Sequence, residues 1–156
     1  MKEENLTIAF SVPQSPEEVF AAVNDVRGWW AEGLVGKSAR VGDEFTYRHE
    51  DVHRSRHRVT EQVPGKRVVW KTLEANLPGS KDPGEWTGTE VHFDIVRKGG
   101  KTEVRFTHVG LVPSFDCFEA CSRGWQYFVA GSLQRLITTG KGTPDPASAA
   151  RGERAA

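Results

Sequence analysis

Four polar side chains in the middle of the chain have types that could do chemistry, and each falls on the inward-facing parity of a predicted strand. They are His49, Ser55, His57 and His108. Burying such groups is costly unless each finds a hydrogen-bond partner. Two interpretations follow: a small polar set that orients one end of a mostly apolar ligand, or core residues satisfied by backbone or water. We favour the structural role for His49 and for His53; both interpretations stay open for His57 and His108.

The spacing of histidines and cysteines does not predict a metal centre. His53 and His57 lie on a strand pattern, where residues four apart are separated by roughly 13 Å, whereas zinc ligands lie about 2 Å from the metal. Cys117 and Cys121 share one face of a helical pattern, but no second ligand pair has a recognisable spacing. Their Cβ atoms are expected about 5–6 Å apart, farther than the roughly 3.8 Å of a disulfide. We therefore predict reduced thiols, no metal and no cofactor.

Motifs for nucleophilic catalysis are missing from the sequence. It contains no G-x-S-x-G elbow. Gly36-Lys37-Ser38 matches the end of a phosphate-binding loop, but Ala31 stands where that motif requires glycine. No catalytic signature is found, so the sequence does not decide whether the protein is an enzyme. If it is one, we expect a histidine in the pocket to act as general acid or base.

Composition limits the classes of protein that remain. The 156 residues suffice for one ordinary domain, are 37% hydrophobic and 27% charged, and carry 21 basic and 21 acidic residues. This balance gives no basic field for nucleic acid or an anionic membrane. There is no signal-peptide pattern, and no apolar run approaches the roughly 20 residues of a membrane helix. We expect a cytoplasmic protein.

A strand and a short helix open the domain. Leu6–Val12 alternates apolar and polar residues, which is typical of a half-buried strand. Ser15 and Pro16, followed by two glutamates, form a helix start. Trp29-Trp30 is expected in the loop that follows, where burying both rings together is difficult; one ring either closes a pocket mouth or packs an edge under the loop.

Five further strands are predicted, with a clear hairpin at the end. Glu44–His49, His53–Val63 and Arg67–Leu73 each alternate, and Trp86–Lys98 and Lys101–Val109 flank Gly99-Gly100, a primed-turn signature. The inward-facing residues of the hairpin are predicted to be Thr89, Val91, Phe93, Ile95, Val104, Phe106 and His108. An antiparallel sheet with one wet face is therefore expected.

After Pro113 the apolar period becomes helical, and the helix is expected to end at Gly140 as its C′ residue. Gly124 and Gly131 lie on nearly the same helix face, which indicates that backbone lies close to the sheet or to a ligand. Residues 1–140 form the predicted domain. Residues 141–156 are rich in Gly, Pro, Ala and charge, and are predicted to be a disordered tail.

Two stretches carry a resemblance to a known family. The first is Gly88–Ile95 with Thr102–Leu111; the second begins at Gly124-Trp125 and ends with Thr139-Gly140-Lys141-Gly142-Thr143-Pro144. Together they resemble the activator-of-Hsp90-ATPase homologue family of the START-like (SRPBCC) helix-grip superfamily. The resemblance implies an α+β helix-grip fold of order β-α-β-α, with a curved antiparallel sheet around a long C-terminal helix and a cavity between them.

The function expected from this resemblance is binding of an apolar or aromatic small molecule in that cavity. The predicted ligand-binding residues are Phe45, Tyr47, His57, Trp70, Phe93, Phe106, His108, Trp125 and Phe128. Two alternatives stay open: a protein-interaction module that contacts a chaperone, and a small-molecule cyclase or hydrolase. The sequence decides neither the ligand nor whether the protein is a monomer or a homodimer.

Overall fold

The computed structural model describes residues 4–150 as one seven-stranded sheet with helices packed against it. The strands are β1 (Leu6–Val12), β2 (Val35–Gly36), β3 (Glu44–His49), β4 (His53–Val63), β5 (Arg67–Asn76), β6 (Glu90–Lys98) and β7 (Lys101–Val109). The helices are α1 (Pro16–Asn24), α2 (Val26–Trp29), α3 (Phe118–Trp125), a π-helical segment (Gln126–Leu133), α4 (Gln134–Thr139) and α5 (Ala147–Ala150).

The sheet is antiparallel throughout and has the order β1-β7-β6-β5-β4-β3-β2. The predicted hairpin is confirmed: Lys98 pairs with Lys101 across Gly99-Gly100, and Phe93 pairs with Phe106. Its inward-facing side chains are all buried, as the alternation predicts. β5 is longer than predicted, and β6 begins four residues later than predicted, at Glu90.

Local sequence explains how α1 begins. Ser15 accepts a hydrogen bond from the backbone N–H of Glu18, and the Glu18 carboxylate accepts one from the Ser15 N–H. Such a capping box satisfies two N–H groups that the first turn leaves without helical partners. Pro16 follows at the first helical position, where its missing N–H costs nothing.

The long C-terminal helix consists of α3, the π-helical segment and α4 in direct succession. It ends at Gly140 as predicted, in the left-handed conformation with φ 86°. This helix lies against β1, α1 and α2. Together with the curved sheet it gives the chain the α+β helix-grip fold that the sequence predicts.

Large rings fill the space between the sheet and the long helix. Trp29, Trp70 and Phe93 are fully buried and contact one another with ring centroids 5.2–6.1 Å apart. Phe106 continues the cluster from Phe93 at 5.4 Å. Aromatic pairs at such separations add stability beyond the burial of their surface. The centre of the fold is therefore packed rather than hollow.

Within the predicted tail, the described residues 141–150 contact the rest of the domain. Asp145 forms a parallel bridge with Ala31, and its backbone N–H donates to the Trp30 carbonyl at 2.9 Å. α5 then packs against β3. The composition favours disorder only when no specific partner is available, and here α2 and β3 provide partners. Residues 151–156 lie outside the described part of the chain.

Candidate functional site

A cleft of about 440 Å³ opens at one end of the fold, where the end of β3, the start of β4, the loop after β5 and the long helix meet. Its aromatic lining residues are Trp30, Tyr47, Trp86, Trp125 and Phe128. Its remaining lining includes His49, His53, Leu77, Ser80, Cys117, Cys121 and Gly124. Small-molecule sites in proteins have volumes of about 300–1,000 Å³ and mostly apolar walls, and this cleft has both properties.

Two stacked ring pairs form the walls of the cleft. Trp30 stacks on Tyr47 with centroids 4.3 Å apart, and Trp86 stacks on Trp125 at 5.8 Å with an interplanar angle of 11°. Trp30 also contacts Trp125 at 4.9 Å and so joins the pairs. All four side chains are at least nine-tenths buried, so their ring planes are held by packing. The cleft is thus bordered by flat aromatic surfaces in fixed positions.

Trp30 reaches the cleft because α2 turns the chain directly after α1. The indole N–H of Trp29 donates to the carbonyl of Val23 at 3.1 Å, which satisfies its polar atom inside the core. Both Trp29 and Trp30 are buried, at 0% and 2% exposure. The expectation of a loop that buries only one ring is therefore wrong. A single turn of helix places the rings side by side, and Trp70 packs against both.

One corner of the cleft is polar and is organised by Asp145. Its Oδ2 accepts hydrogen bonds from the Tyr47 hydroxyl at 2.6 Å and from His49 Nδ1 at 2.7 Å. Because the carboxylate only accepts, His49 carries a proton on Nδ1. Burial and the adjacent carboxylate raise the pKa of Tyr47, which stays protonated as a donor. This corner offers a ligand an imidazole in a fixed orientation.

A chain of hydrogen bonds runs from the cleft into the core. His53 Nε2 lies 2.9 Å from Ser55 Oγ, Ser55 Oγ lies 2.8 Å from His57 Nε2, and His57 Nδ1 lies 3.1 Å from Thr72 Oγ1. Burial, with a smaller effect of His49, lowers the pKa of His53 to about 3. Burial likewise lowers the pKa of His57 well below its ordinary value. Both imidazoles are therefore neutral at neutral pH, and His53 is the member that lines the cleft.

His108 has a structural role behind the cleft wall. Its Nδ1 accepts from the Trp125 indole N–H at 3.0 Å, so the ring proton lies on Nε2, 2.8 Å from Thr89 Oγ1. The Thr89 hydroxyl donates in turn to the Trp86 carbonyl at 2.6 Å. Burial lowers the pKa of His108 to about 3. The network holds Trp125 and the chain at Trp86 against the sheet, and His108 itself does not reach the cleft.

Of the nine predicted ligand-binding residues, the structure places three on the cleft, namely Tyr47, Trp125 and Phe128. The other six lie in the packed core: Phe45, His57, Trp70, Phe93, Phe106 and His108. Strand parity correctly identifies the inner face for all six strand residues. Parity does not indicate which part of the inner face is covered by other residues. The Trp29 and Trp30 rings cover the middle of the sheet.

Several cleft residues were not predicted to face a ligand. His49 and His53 flank the turn between β3 and β4, and Trp86 lies in the loop before β6. The one local signal is Trp86 itself, a large aromatic residue beside a polar, glycine-rich loop. Gly124 also lines the cleft, and a Cβ added there would meet no atom within 4 Å. Close packing therefore does not explain this glycine.

Neither a metal cluster nor a membrane-spanning helix is found within residues 4–150. No group of three or more His, Cys, Asp or Glu side chains in that range is arranged to hold a metal ion. None of the helices there is long and apolar enough to cross a membrane.

Residues 13–138 match the family model described as activator of Hsp90 ATPase homolog 1-like protein. The match covers most of the chain, which therefore belongs to this family, as the sequence resemblance indicates. No curated protein sequence matches the chain.

Solved structures repeat the same fold. The Aha1 dimer from Colwellia psychrerythraea is 27% identical, with a TM-score of 0.70, and the match covers 89% of this chain and 99% of that one. Mll3558 from Rhizobium loti is 19% identical, with a TM-score of 0.68 and coverage of 87% and 97%. DynU16, from the dynemicin biosynthetic locus, is 22% identical, with a TM-score of 0.62 and coverage of 90% and 49%. The last two show the fold alone.

Proposed function

We propose that this member of the activator-of-Hsp90-ATPase homologue family binds a flat, mostly apolar small molecule in the cleft beside α3. The observation that carries the proposal is the fixed aromatic lining: the stacked pairs Trp30–Tyr47 and Trp86–Trp125 border a space of about 440 Å³. Rings already locked by packing lose little conformational entropy on binding, which favours affinity.

The polar groups of the cleft suggest what one end of the ligand carries. His49 is oriented by Asp145, and His53 is oriented by Ser55, so each imidazole presents a defined nitrogen. An imidazole nitrogen donates one hydrogen bond when it carries a proton and accepts one when it does not. A ligand with one hydroxyl or carbonyl at the edge of an aromatic ring system would satisfy it. Two free cysteines fit the reducing cytoplasm as its location.

The test uses 1-naphthol as a probe, because it combines two fused rings with one hydroxyl. Binding is followed by quenching of tryptophan fluorescence, since three of the lining residues are tryptophans, and stoichiometry is measured by calorimetry. We expect one saturable site. Native mass spectrometry of the protein purified from its own cells then identifies the natural ligand.

Gly124→Leu is the diagnostic variant, because a Cβ at this position meets no atom within 4 Å and the longer side chain would occupy the cleft. We expect it to weaken 1-naphthol binding at least about tenfold, a change of about 1.4 kcal/mol. Gly131→Ala is the matched control: it also removes a helical glycine of the same long helix, but it does not line the cleft. Equal binding by wild type and Gly124→Leu would contradict the proposal.

A further inference from the structure

The two cysteines form a dithiol on the wall of the cleft. Cys117 is the N-cap of α3, and Cys121 lies one turn later, with its backbone N–H donating to the Cys117 carbonyl at 2.7 Å. Both side chains line the cleft, and both thiols are free. Residues four apart on a helix share one face, so both sulfur atoms face the same space.

A buried donor without a partner lies beside these thiols. The indole N–H of Trp86 is buried and forms no hydrogen bond with any residue in the described part of the chain. It lies beside both thiols, where it favours their negatively charged forms. Since Trp86 is only 3% exposed, an unpaired N–H here carries a desolvation cost. A negatively charged ligand atom or a bound thiolate at this position would satisfy it.

The thiols also behave as a pair. The contact between the two thiols raises the pKa of Cys117 and lowers that of Cys121. Glu85 fixes the first residue of the pair, because its carboxylate accepts a hydrogen bond from the Cys117 backbone N–H at 3.0 Å. The start of α3 thus holds the two thiols close together.

A bridging atom fits this arrangement better than a disulfide. A disulfide needs Cβ atoms roughly 3.8 Å apart, whereas residues four apart on a helix have Cβ atoms about 5–6 Å apart. A central atom bonded to each sulfur at about 2.3 Å, the length of a zinc–thiolate bond, bridges sulfur atoms up to about 4.6 Å apart. Thiolates prefer soft centres. Such a bridge needs only two ligands, so the lack of a second ligand pair does not weigh against it.

We propose that Cys117 and Cys121 form a binding site for a soft metal or metalloid centre that takes two thiolates. For a trivalent arsenical with one aromatic substituent, the reaction balances without redox change. Two arsenic–sulfur bonds form, the arsenic–oxygen bond of the arsine oxide breaks, and both thiol protons leave with that oxygen as water. The open space at Gly124 and the ring of Trp125 lie beside the sulfur atoms and accommodate the substituent.

The experiment titrates the reduced full chain with phenylarsine oxide and measures intact mass and tryptophan fluorescence. We expect one phenylarsenic group per chain with loss of one water, and protection of both thiols from iodoacetamide. Excess dithiothreitol should remove the group, whereas excess 2-mercaptoethanol should not. Cys117→Ser and Cys121→Ser should each weaken binding by about 100-fold or more, because the second bond is then no longer intramolecular.

The matched control is the double variant Cys121→Ser with Ser122→Cys, which keeps two thiols but moves one to a different helix face. Wild-type affinity in this variant would overturn the proposal, and so would two phenylarsenic groups on the wild type, one per thiol. If the buried Cys117→Ser variant fails to fold, the proposal is still tested by the stoichiometry of the wild type and by Cys121→Ser, whose position is only half-buried. Silver ion binding to Gly124→Leu distinguishes this proposal from the proposed aromatic site. The variant should still bind silver ion although it no longer binds 1-naphthol.

Discussion

Replacing His108 with glutamine should make the stability of the protein less sensitive to acid. His108 is fully buried, and its burial lowers the pKa to about 3, whereas an unfolded histidine titrates near 6.5. Between these values the unfolded chain binds a proton that the folded chain does not. The free energy of unfolding therefore falls as the pH drops below 6.5, and this contribution is fully present above that value.

The size of the effect follows from proton linkage. One such histidine changes the free energy of unfolding by up to about 1.4 kcal/mol per pH unit, which integrates to about 2 kcal/mol between pH 7 and pH 5. His57 is equally enclosed and its pKa is lowered in the same direction, so it adds a loss of the same sign. The pKa of His53, which borders the cleft, is lowered in the same direction, so it adds to the loss as well. The loss of about 2 kcal/mol from His108 alone is a substantial part of the usual 5–15 kcal/mol.

The assay is urea unfolding of wild type and His108→Gln at steps between pH 5 and pH 7. Glutamine can accept from Trp125 and donate to Thr89, so it preserves the two contacts without the proton. Its loss of stability over this range should be about 2 kcal/mol smaller than that of wild type. Thr89→Val is the control: it removes both hydrogen bonds of the Thr89 hydroxyl but keeps the histidine, so its profile should be lower and parallel to that of wild type. A parallel profile for His108→Gln would refute the reasoning.

Three further variants test the packing around the cleft by urea unfolding at pH 7. Asp145→Ala leaves the buried Tyr47 hydroxyl without its acceptor and should lower the free energy of unfolding by about 1–3 kcal/mol. The same substitution should cost less in a Tyr47→Phe background, and an equal cost there would contradict the pairing. Trp125→Phe deprives His108 Nδ1 of its donor and should cost at least about 1 kcal/mol, whereas no loss would show that this bond contributes nothing. Phe93→Ala empties the centre of the core and should cost about 3–5 kcal/mol; a cost near zero would mean that the core is not tightly packed.

The sheet could be predicted because its information is local. Alternation in β6 and β7 places Phe93 and Phe106 on one face whatever the rest of the chain does, and Gly99-Gly100 fixes their register. The end of the long helix at Gly140 is local in the same sense, since a left-handed residue ends the hydrogen-bond ladder. These features follow from neighbours within a few residues of one another.

The cleft could not be predicted in the same way, because its residues come from distant parts of the chain. Asp145 contacts Tyr47 and His49, which lie nearly one hundred residues earlier in the sequence. The composition of this segment, which is rich in proline and alanine, does not indicate that its carboxylate accepts hydrogen bonds from two distant side chains. The position of Trp86 could not be predicted either, because it depends on the loop after β5, whose sequence has no hydrophobic periodicity.

The filled core and the open cleft have a common cause. Trp29 and Trp30 occupy the middle of the inner face, so they exclude a ligand from the position that the helix-grip architecture would otherwise leave for it. The same pair extends the aromatic surface toward the end of β3, where Trp30 stacks on Tyr47. There Gly124 contributes no side chain, so the space beside the rings stays open. The position of the cleft at the end of the sheet, and not at its centre, thus follows from two adjacent tryptophans and one glycine.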